Sequence, residues 1–398
     1  SGEDRTLLRR LLDDARDRLD ATPAIDQEVE GAIRQMIGEA YHALALDHEA
    51  ERQLVISIER LRAARGSEDD ATLLAALTLG RSLGNLGRFD EADALYRDVL
   101  DSTSDRSAAD PLRLEAEVRR GLSLVLLGRL AQAESWLLAT LDRHESALGA
   151  EAPETLRAVV FVSRLREEQG QIDEAEALAR RAVEGFHETL GADHARSLVA
   201  EQRLAMMVAR RGRDAEAVVL LSAALERQLR VLGESHRTTF TTTRELAKAL
   251  RRTGDAEAAL SHLESAVELH RRRYGSAHIE TYRHLMAAGL AARDARRSEL
   301  ALERYAEAVE VAERVPDAPD RYAGYAIGST GFALMDLGRF DEAEAALLEG
   351  RERLVAAEGE THAYVKSITR HLVRLYERTE RAREAERWQA RLVASAAE

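Results

Sequence analysis

Four histidines recur along the chain at positions that could supply metal ligands. They are His194, His236, His278 and His362, spaced 42, 42 and 84 residues apart. A zinc ion needs ligands that converge within bonds of about 2.0–2.1 Å, whereas the axes of packed neighbouring helices are about 8–10 Å apart. Ligands one or more repeats apart cannot meet at one ion. We therefore predict no metal site and expect each histidine to cap or pack on the adjacent helix.

No other grouping of reactive side chains points to catalysis. Neighbouring carboxylates such as Asp255 and Glu257 are ordinary on a solvent-facing helix surface. The sequence contains no Walker loop, no His-Glu-x-x-His and no Gly-x-Ser-x-Gly. We predict a protein without enzymatic activity and without a cofactor.

The charge balance narrows the class of partner. The chain of 398 residues has 57 basic and 71 acidic residues, a formal charge of −14, no Cys, and no apolar run long enough to span a bilayer. This balance disfavours a bulk electrostatic grip on nucleic acid or anionic lipid. We predict no binding of nucleic acid and no membrane contact, and a protein or peptide partner.

The elements that position any site come from a tandem repeat. An alanine recurs with spacings of 42 residues, one spacing being 41, at Ala50, Ala92, Ala133, Ala175, Ala217, Ala259, Ala301, Ala343 and Ala385. A residue that is small in all units but the last precedes it by twelve, at Gly38, Gly80, Gly121, Ser163, Ala205, Ala247, Gly289, Gly331 and Val373. Small residues at two fixed places allow two helices to cross closely, and larger apolar residues around them keep helical spacing. Each of the nine units is predicted to be a helical hairpin.

The boundaries of these helices follow from the same register. First helices are predicted at 24–44, 68–86, 110–127, 152–169, 194–211, 236–253, 277–295, 319–337 and 362–379, each followed by a second helix. Glycines five residues before the recurrent alanine mark the turn within a unit, replaced by Ala45, Arg296 and Glu380 in three units. Gly149, Gly191, Gly233, Gly275 and Gly359 mark the junctions between units as C-caps, and Asp193, Ser235 and Thr361 are the predicted N-caps.

One further helix is predicted at the N-terminal end. Residues 4–21 are amphipathic, with apolar side chains at Leu7, Leu8, Leu11, Leu12, Ala15 and Leu19. The predicted organisation is a capping segment over 1–22 and a solenoid of nine repeats over 23–398.

The repeat pattern resembles the tetratricopeptide repeat, in the longer form found in kinesin light chains and many bacterial proteins. The resemblance rests on the order small residue, aromatic or Leu, Gly and then Glu-Ala, on Gly-Arg-Phe-Asp-Glu-Ala at 87–92 and 338–343, and on Leu-Gly-x-x-His at 190–194 and 232–236. It implies an all-α, right-handed superhelical solenoid whose first helices line a concave groove. It also implies a non-catalytic scaffold for protein–protein interaction.

A second resemblance concerns residues 7–41, which are similar to the segment that leads into such repeats in bacterial receptor-like Ser/Thr kinases. The chain begins with Ser1 rather than Met and has no kinase motif. We expect a larger bacterial signalling protein with an N-terminal kinase module. A cytoplasmic location is expected, with the alternative that a membrane span before the repeats places them outside.

Six basic residues occupy inner-face positions of the predicted first helices. They are Arg157, Arg164, Arg203, Arg244, Lys248 and Arg283. A basic groove for an acidic extended peptide, incidental placement, and intramolecular pairing with acids such as Glu167 and Glu201 all remain open. The Asn of the carboxylate clamp that chaperone-binding relatives use is absent. We expect Arg203, Arg244 and Lys248 to lie outside the core, so that reversing their charge leaves the fold intact.

Two functions from different classes fit this pattern. The first is a scaffold that binds a protein segment in its groove. The second is a sensor that closes around a small molecule or signalling peptide, which requires an apolar pocket with convergent polar groups.

Overall fold

The structure is a computed structural model that describes residues 2–22, 25–44, 46–234, 236–274, 278–315 and 320–397. These residues form nineteen α-helices and no strand, which confirms the all-α prediction. An N-terminal helix, α1, spans Gly2–Asp20. The first helices are α2 Gln27–Ala43, α4 Asp70–Asn85, α6 Pro111–Leu126, α8 Pro153–Glu168, α10 Ala195–Arg210, α12 Arg237–Arg252, α14 Ile279–Asp294, α16 Arg321–Asp336 and α18 Ala363–Arg378. The second helices are α3 Asp47–Arg65, α5 Phe89–Ser102, α7 Leu130–Leu148, α9 Ile172–Leu190, α11 Asp214–Val231, α13 Ala256–Tyr274, α15 Ser298–Arg314, α17 Phe340–Glu358 and α19 Ala382–Ala397.

The helix boundaries agree closely with the 42-residue register. Every observed first helix lies inside its predicted range, beginning at most three residues later and ending one residue earlier. The chain divides into two compact units, Ser1–Arg211 with α1 to α10 and Gly212–Glu398 with α11 to α19. Within each unit, every helix packs against the next one along the chain.

The crossing of the two helices in a hairpin explains why small residues recur. All the recurrent alanines are buried. A Cβ atom added at Gly80 would lie 2.6 Å from the Tyr96 ring, and one added at Gly121 would lie 2.2 Å from Leu137 Cδ2. Because no real Cβ approaches so closely, a larger side chain would force the helices apart.

The turn between the two helices of each repeat needs a left-handed backbone. Gly87, Gly128, Gly170, Gly212, Gly254 and Gly338 all have positive φ, a conformation that costs other residues free energy. Arg296 and Glu380 adopt it without being glycine, with φ of 60° and 57°. Ala45, the third replacement, lies outside the described residues.

At the junctions between repeats, the second helices end at the predicted C-caps, whereas the following first helices begin at other N-caps than those predicted. Gly149, Gly191, Gly233 and Gly359 have positive φ, as predicted, whereas Gly275 and Ser235 lie outside the described residues. The N-caps are His194, His236, His278 and His362, whose Nδ1 atoms accept hydrogen bonds from the backbone N–H two residues later. The assignment of the N-cap to Asp193 and Thr361 was therefore wrong by one residue, and the capping role of the histidines is confirmed.

The N-terminal helix α1 packs on the first hairpin through one side only. The Tyr41 hydroxyl donates to Asp13 at 2.7 Å, Arg34 donates to Asp20 at 2.7 Å, and Leu19 is buried. The predicted apolar face is only partly used, because Leu7, Leu8 and Leu11 are exposed.

Candidate functional site

Within each of the two compact units, the first helices of the repeats lie side by side in a row. Within each row consecutive first helices are in contact, and their side chains join residues about one repeat apart. Arg196 and Glu154, 42 residues apart, are 3.0 Å from each other. Contacts at equal register mean that neighbouring first helices run parallel. We call α2, α4, α6, α8 and α10 the first row, and α12, α14, α16 and α18 the second row.

Two of the six predicted basic residues are tied to carboxylates within the first row. Arg157 of α8 pairs with Glu115 of α6. Arg203 of α10 pairs with Glu167 of α8, with 2.7 Å between Nη2 and Oε2, and only 11% of the Arg203 side chain is exposed. Burial lowers the pKa of both guanidinium groups from the usual arginine value. These arginines join neighbouring repeats.

The acidic partner of Arg157 shows how strongly this surface is charged. Burial alone would raise the pKa of Glu115, but the guanidinium groups of Arg119 and Arg157 lower it to about 2. Glu115 is thus a carboxylate throughout the physiological pH range, and it balances two cations.

In the second row, one carboxylate forms ion pairs with two of the predicted basic residues. Arg244 of α12 and Arg283 of α14 both contact Glu280, Arg244 at 2.8 Å and Arg283 at 2.5 Å. These two cations lower the pKa of Glu280 against the effect of its burial. The Arg283 side chain remains 43% exposed, whereas that of Arg244 is mostly buried.

The two remaining predicted residues are less constrained. The Lys248 side chain is 52% exposed and contacts only Glu245 of its own helix, at 2.7 Å, among the described residues. Arg164 is half-buried on α8. The structure thus brings Arg244 and Arg283 together at Glu280 and leaves Lys248 and Arg283 as accessible cations. The expectation that Arg203, Arg244 and Lys248 all lie outside the packed part of the molecule is correct for Lys248 only, because the other two fill the space between repeats.

Sequence reasoning missed an aromatic cluster in the second row, formed by Tyr282, Tyr322, Tyr325, Phe332 and Tyr364. The rings of Tyr325 and Tyr364 meet edge to face, with centroids 4.8 Å apart. The Tyr282 hydroxyl donates to the Tyr322 carbonyl at 2.8 Å, and burial raises the pKa of Tyr364 to about 12. Tyr322 and Tyr325 are half-exposed. A signal was present, because Tyr322 and Tyr364 are 42 residues apart and four of the nine tyrosines lie in this cluster.

A cleft beside Trp136 in the first unit was also missed. It has a volume of about 570 Å³ and is lined by residues of α6 and α7, including Arg120 and Arg143. The Arg120 guanidinium lies 4.0 Å from the centroid of the Trp136 ring and pairs with the buried Asp93 at 3.3 Å. The Trp136 indole N–H donates to the Glu117 carbonyl at 2.8 Å. This cleft presents a cation and an aromatic ring to solvent.

Other kinds of site find no support in the part of the chain that the structure describes. Its side chains include no group of three or more His, Cys, Asp or Glu that could hold a metal ion. None of its helices combines the length and the apolar character that a bilayer crossing requires.

Comparison with models of known protein families agrees with this architecture. A tetratricopeptide repeat family model matches residues 112–188, 193–271 and 238–314, and a second tetratricopeptide repeat model matches residues 72–103. None of the curated proteins matches the chain.

Solved structures with similar folds include a quorum sensor, a Rap protein and the repeats of a putative kinesin light chain. The apo quorum sensor NprR of B. thuringiensis has 14% sequence identity and a TM-score of 0.63, over 88% of this chain and 96% of that one. A Rap protein complexed with Competence and Sporulation Factor has 14% identity and a TM-score of 0.58, over 92% and 98%. The nearly identical TPR-like repeats of a putative kinesin light chain from Podosopora anserina have 22% identity and a TM-score of 0.48, over 52% and 99%. At these identities the likeness concerns the fold.

Proposed function

The chain belongs to the tetratricopeptide repeat family, and on this premise we propose that it is a non-catalytic scaffold that binds a peptide or protein segment along its rows of first helices. The observation that carries the proposal is the second row. In that row Lys248 and Arg283 are accessible cations, and the rings of Tyr322 and Tyr325 are half-exposed. In the 42-residue register these four residues occupy the same face of their first helices.

The chemistry of this row favours an acidic extended segment. Arginine presents forked donors that match carboxylates, and lysine adds a mobile point charge. Tyrosine rings supply contact area at a low cost in side-chain entropy. Arg157, Arg164 and Arg203 are the proposed basic residues of the first row, and Arg244 belongs with Lys248 and Arg283 to the second row. Arg157 and Arg203 join helices of the first row through carboxylates, and Arg244 does so in the second row. Lys248 and Arg283 are the residues that reach the ligand.

The experiment measures fluorescence anisotropy with a library of extended 12-residue acidic peptides, each paired with a version in which Gln replaces Glu. The wild-type chain should bind a subset of the acidic peptides, and the affinity should fall with added salt. The double variant Lys248→Gln/Arg283→Gln should lose affinity about tenfold or more.

The matched control is Arg272→Gln/Arg314→Gln, which removes two exposed arginines from second helices of the same unit. This control should bind as the wild type does. Equal binding by the two double variants, or affinity that does not change with salt, would rule out the basic surface.

A second candidate function is a sensor for a signalling peptide or small molecule. Two observations favour it. The similar folds include a Rap protein bound to Competence and Sporulation Factor, and the cleft beside Trp136 has the volume of an ordinary ligand pocket. The variant Trp388→Phe leaves Trp136 as the sole indole, so binding in the cleft should change its fluorescence. Saturable quenching by a small metabolite or short peptide, without binding of acidic segments to the second row, would favour the sensor.

The proposed scaffold is the interaction part of a larger bacterial signalling protein. This context rests on the resemblance of residues 7–41 to the segment that follows the kinase domain in receptor-like Ser/Thr kinases. Reading the gene upstream of Ser1 tests it, because a kinase open reading frame in phase should be found there. The same reading tests the proposed cytoplasmic location, since a membrane span between the kinase and the repeats would place the repeats outside.

A further inference from the structure

The middle of the first row, on α6, α8 and α10, carries more positive than negative charge. Its arginines interact with one another and with three glutamates through contacts that connect these helices. We call the whole set the arginine surface: Arg119, Arg157, Arg164, Arg203 and Arg210, with Glu115, Glu167 and Glu168. Five cations against three anions leave an excess of two positive charges, in a chain whose formal charge is −14.

At the junction of α6 and α8, two guanidinium groups share one carboxylate. Glu115 lies 2.7 Å from Arg119 and also contacts Arg157. Burial lowers the pKa of Arg157, and the charge of Arg119 lowers it further, although Glu115 acts in the opposite direction. One carboxylate therefore does not compensate for both cations. The Arg119 side chain is 31% exposed, so that it can also reach a ligand.

At the junction of α8 and α10, the other three arginines lie around Glu167. Arg203 and Arg210 pair with this carboxylate at 2.7 and 2.6 Å. Arg164 is near enough to lower the pKa of Arg203 beyond the effect of burial. Arg164 itself is half-buried and forms no ion pair or hydrogen bond with any residue that the structure describes. It is the cation of the arginine surface that no carboxylate holds.

An aromatic ring lies between these two junctions. Phe161 of α8 is half-buried and packs at the edge of a buried apolar cluster. It follows Arg157 by four residues and precedes Arg164 by three, so all three lie on one face of the helix. In the repeat register it occupies the position of Arg119 in α6 and of Arg203 in α10. The ring is thus flanked by arginines on its own helix and on both neighbouring first helices.

We propose that the arginine surface binds a phosphorylated side chain of a partner segment. A phosphate monoester carries about −1.5 to −2 charges at pH 7, which matches the excess of two positive charges. A guanidinium fork binds two phosphate oxygens at once. A carboxylate brings only a single charge and would leave the surface unbalanced.

The two least constrained arginines contact the phosphate. Arg119 and Arg164 lie on adjacent helices and are three register positions apart, about 4.5 Å along the helix axis. Their side chains can therefore converge on one phosphate group. Arg157 and Arg203 stay on Glu115 and Glu167 and add to the positive potential. Phe161 packs against the carbon atoms that carry the phosphate.

This inference rests on the proposed function in one respect, because a segment must lie along the first helices. It concerns the other row and another chemistry. The acidic segment is proposed for Lys248 and Arg283, which belong to the second compact unit, whereas the whole arginine surface belongs to the first. Each of the two sites can therefore fail without the other.

The experiment measures fluorescence anisotropy of the full chain with pools of labelled peptides that have a fixed central residue and random flanks. The central residue is phosphoserine, phosphothreonine or phosphotyrosine, and each pool has one version with the unmodified residue and one with Glu. We expect at least one phosphorylated pool to bind saturably, about tenfold or more tighter than both of its versions. Arg164→Gln should weaken this binding about tenfold, and Arg164→Lys, which keeps the charge but not the fork, should weaken it less.

Three controls accompany this measurement. Arg52→Gln removes an exposed arginine of α3 in the same unit and should bind the phosphorylated pool as the wild type does. The circular dichroism melt of Arg164→Gln should match that of the wild type, because this side chain holds no partner in place. Lys248→Gln/Arg283→Gln should keep the phosphorylated pool and lose only the acidic peptides, which separates a failure of this inference from a failure of the proposed function.

Several results would overturn the inference. They are the absence of saturable binding by every phosphorylated pool, equal binding of a phosphorylated pool and its Glu version, and equal binding by Arg164→Gln and the wild type. Inorganic phosphate is then added as a competitor. Displacement at the concentration at which the phosphorylated pool itself binds would show that the site takes a free anion rather than a partner segment, and would also overturn it.

Discussion

Arg203 of α10 reaches across to Glu167 of α8, and its Nε donates a hydrogen bond to the Ser163 hydroxyl of the same helix at 3.0 Å. Ser163 occupies the small-residue position of its repeat and donates in turn to the Ala175 carbonyl of α9 at 2.8 Å. One arginine side chain therefore joins three helices of the first unit.

The first prediction follows from this pair. Arg203→Ala leaves the buried Glu167 with Arg210 as its remaining cation, 2.6 Å away. We expect a loss of about 1–3 kcal/mol in the free energy of unfolding, measured by chemical denaturation followed by circular dichroism. Lys248→Ala, at an exposed cation of the second row, should stay within about 0.5 kcal/mol of the wild type. Equal losses for the two variants would contradict the structural role of Arg203.

The second prediction compares two glycines of the same helix. A Cβ at Gly80 would lie 2.6 Å from the Tyr96 ring, whereas a Cβ at Gly84 would meet nothing within 4 Å. We expect Gly80→Ala to lower the free energy of unfolding by about 1–3 kcal/mol. Gly84→Ala should raise it by about 0.5–1 kcal/mol through helix propensity. Opposite signs in parallel denaturation curves are the expected result, and a shared sign would mean that close helix crossing does not govern this site.

The third prediction concerns the turn at Arg296, where a non-glycine residue has φ of 60°. Arg296→Gly should stabilise the second unit by about 0.5–1 kcal/mol, because glycine adopts this conformation without strain. Gly254→Ala, at the equivalent turn with φ of 93°, should destabilise it by about 1 kcal/mol. Thermal melts of the two variants provide the measurement. A lower melting temperature for Arg296→Gly would show that the Arg296 side chain contributes more than its backbone costs.

The fourth prediction is a pH dependence that originates at His284. Burial lowers the pKa of this imidazole to about 4 from its ordinary 6.5, although its Nδ1–H donates to the Glu280 carbonyl. Between pH 6.5 and 4 the unfolded chain therefore binds a proton that the folded chain does not, so stability falls as the pH falls. At pH 5 the loss relative to pH 7 should be about 2 kcal/mol. His284→Phe should remove this part of the pH dependence in denaturation curves at the two pH values, and an unchanged difference would assign it to other groups.

The sequence predicted the positions of the helices better than the contacts of their side chains. The recurrent alanines and small residues revealed the hairpins because a close crossing tolerates few side chains, as Gly121 and Leu137 show. The N-caps were displaced by one residue, since Asp193 is the commoner capping type although the backbone presents His194. A period locates residues along a helix, but it does not reveal which neighbour a long side chain reaches.

That difference explains the outcome for the candidate site. The side chains of Arg203 and Arg244 lie on the predicted helices but extend to acids 36 residues away, Glu167 and Glu280. Pairing with Glu167 was one of the alternatives that the sequence left open, and a search for opposite charges about one repeat apart would also have found Glu280. The aromatic cluster was accessible in the same way, through the 42-residue spacing of Tyr322 and Tyr364.

The ion pairs between first helices also determine in which order the repeats can follow one another. If the hairpin that begins with α12 were moved to follow α8, Glu245 would take the register of Arg203 and would face Glu167. Two carboxylates would then meet where the native chain has a cation and an anion. The repeats share one backbone design, but those joined by such ion pairs are not interchangeable, because the charges on each first helix match those of its own neighbour.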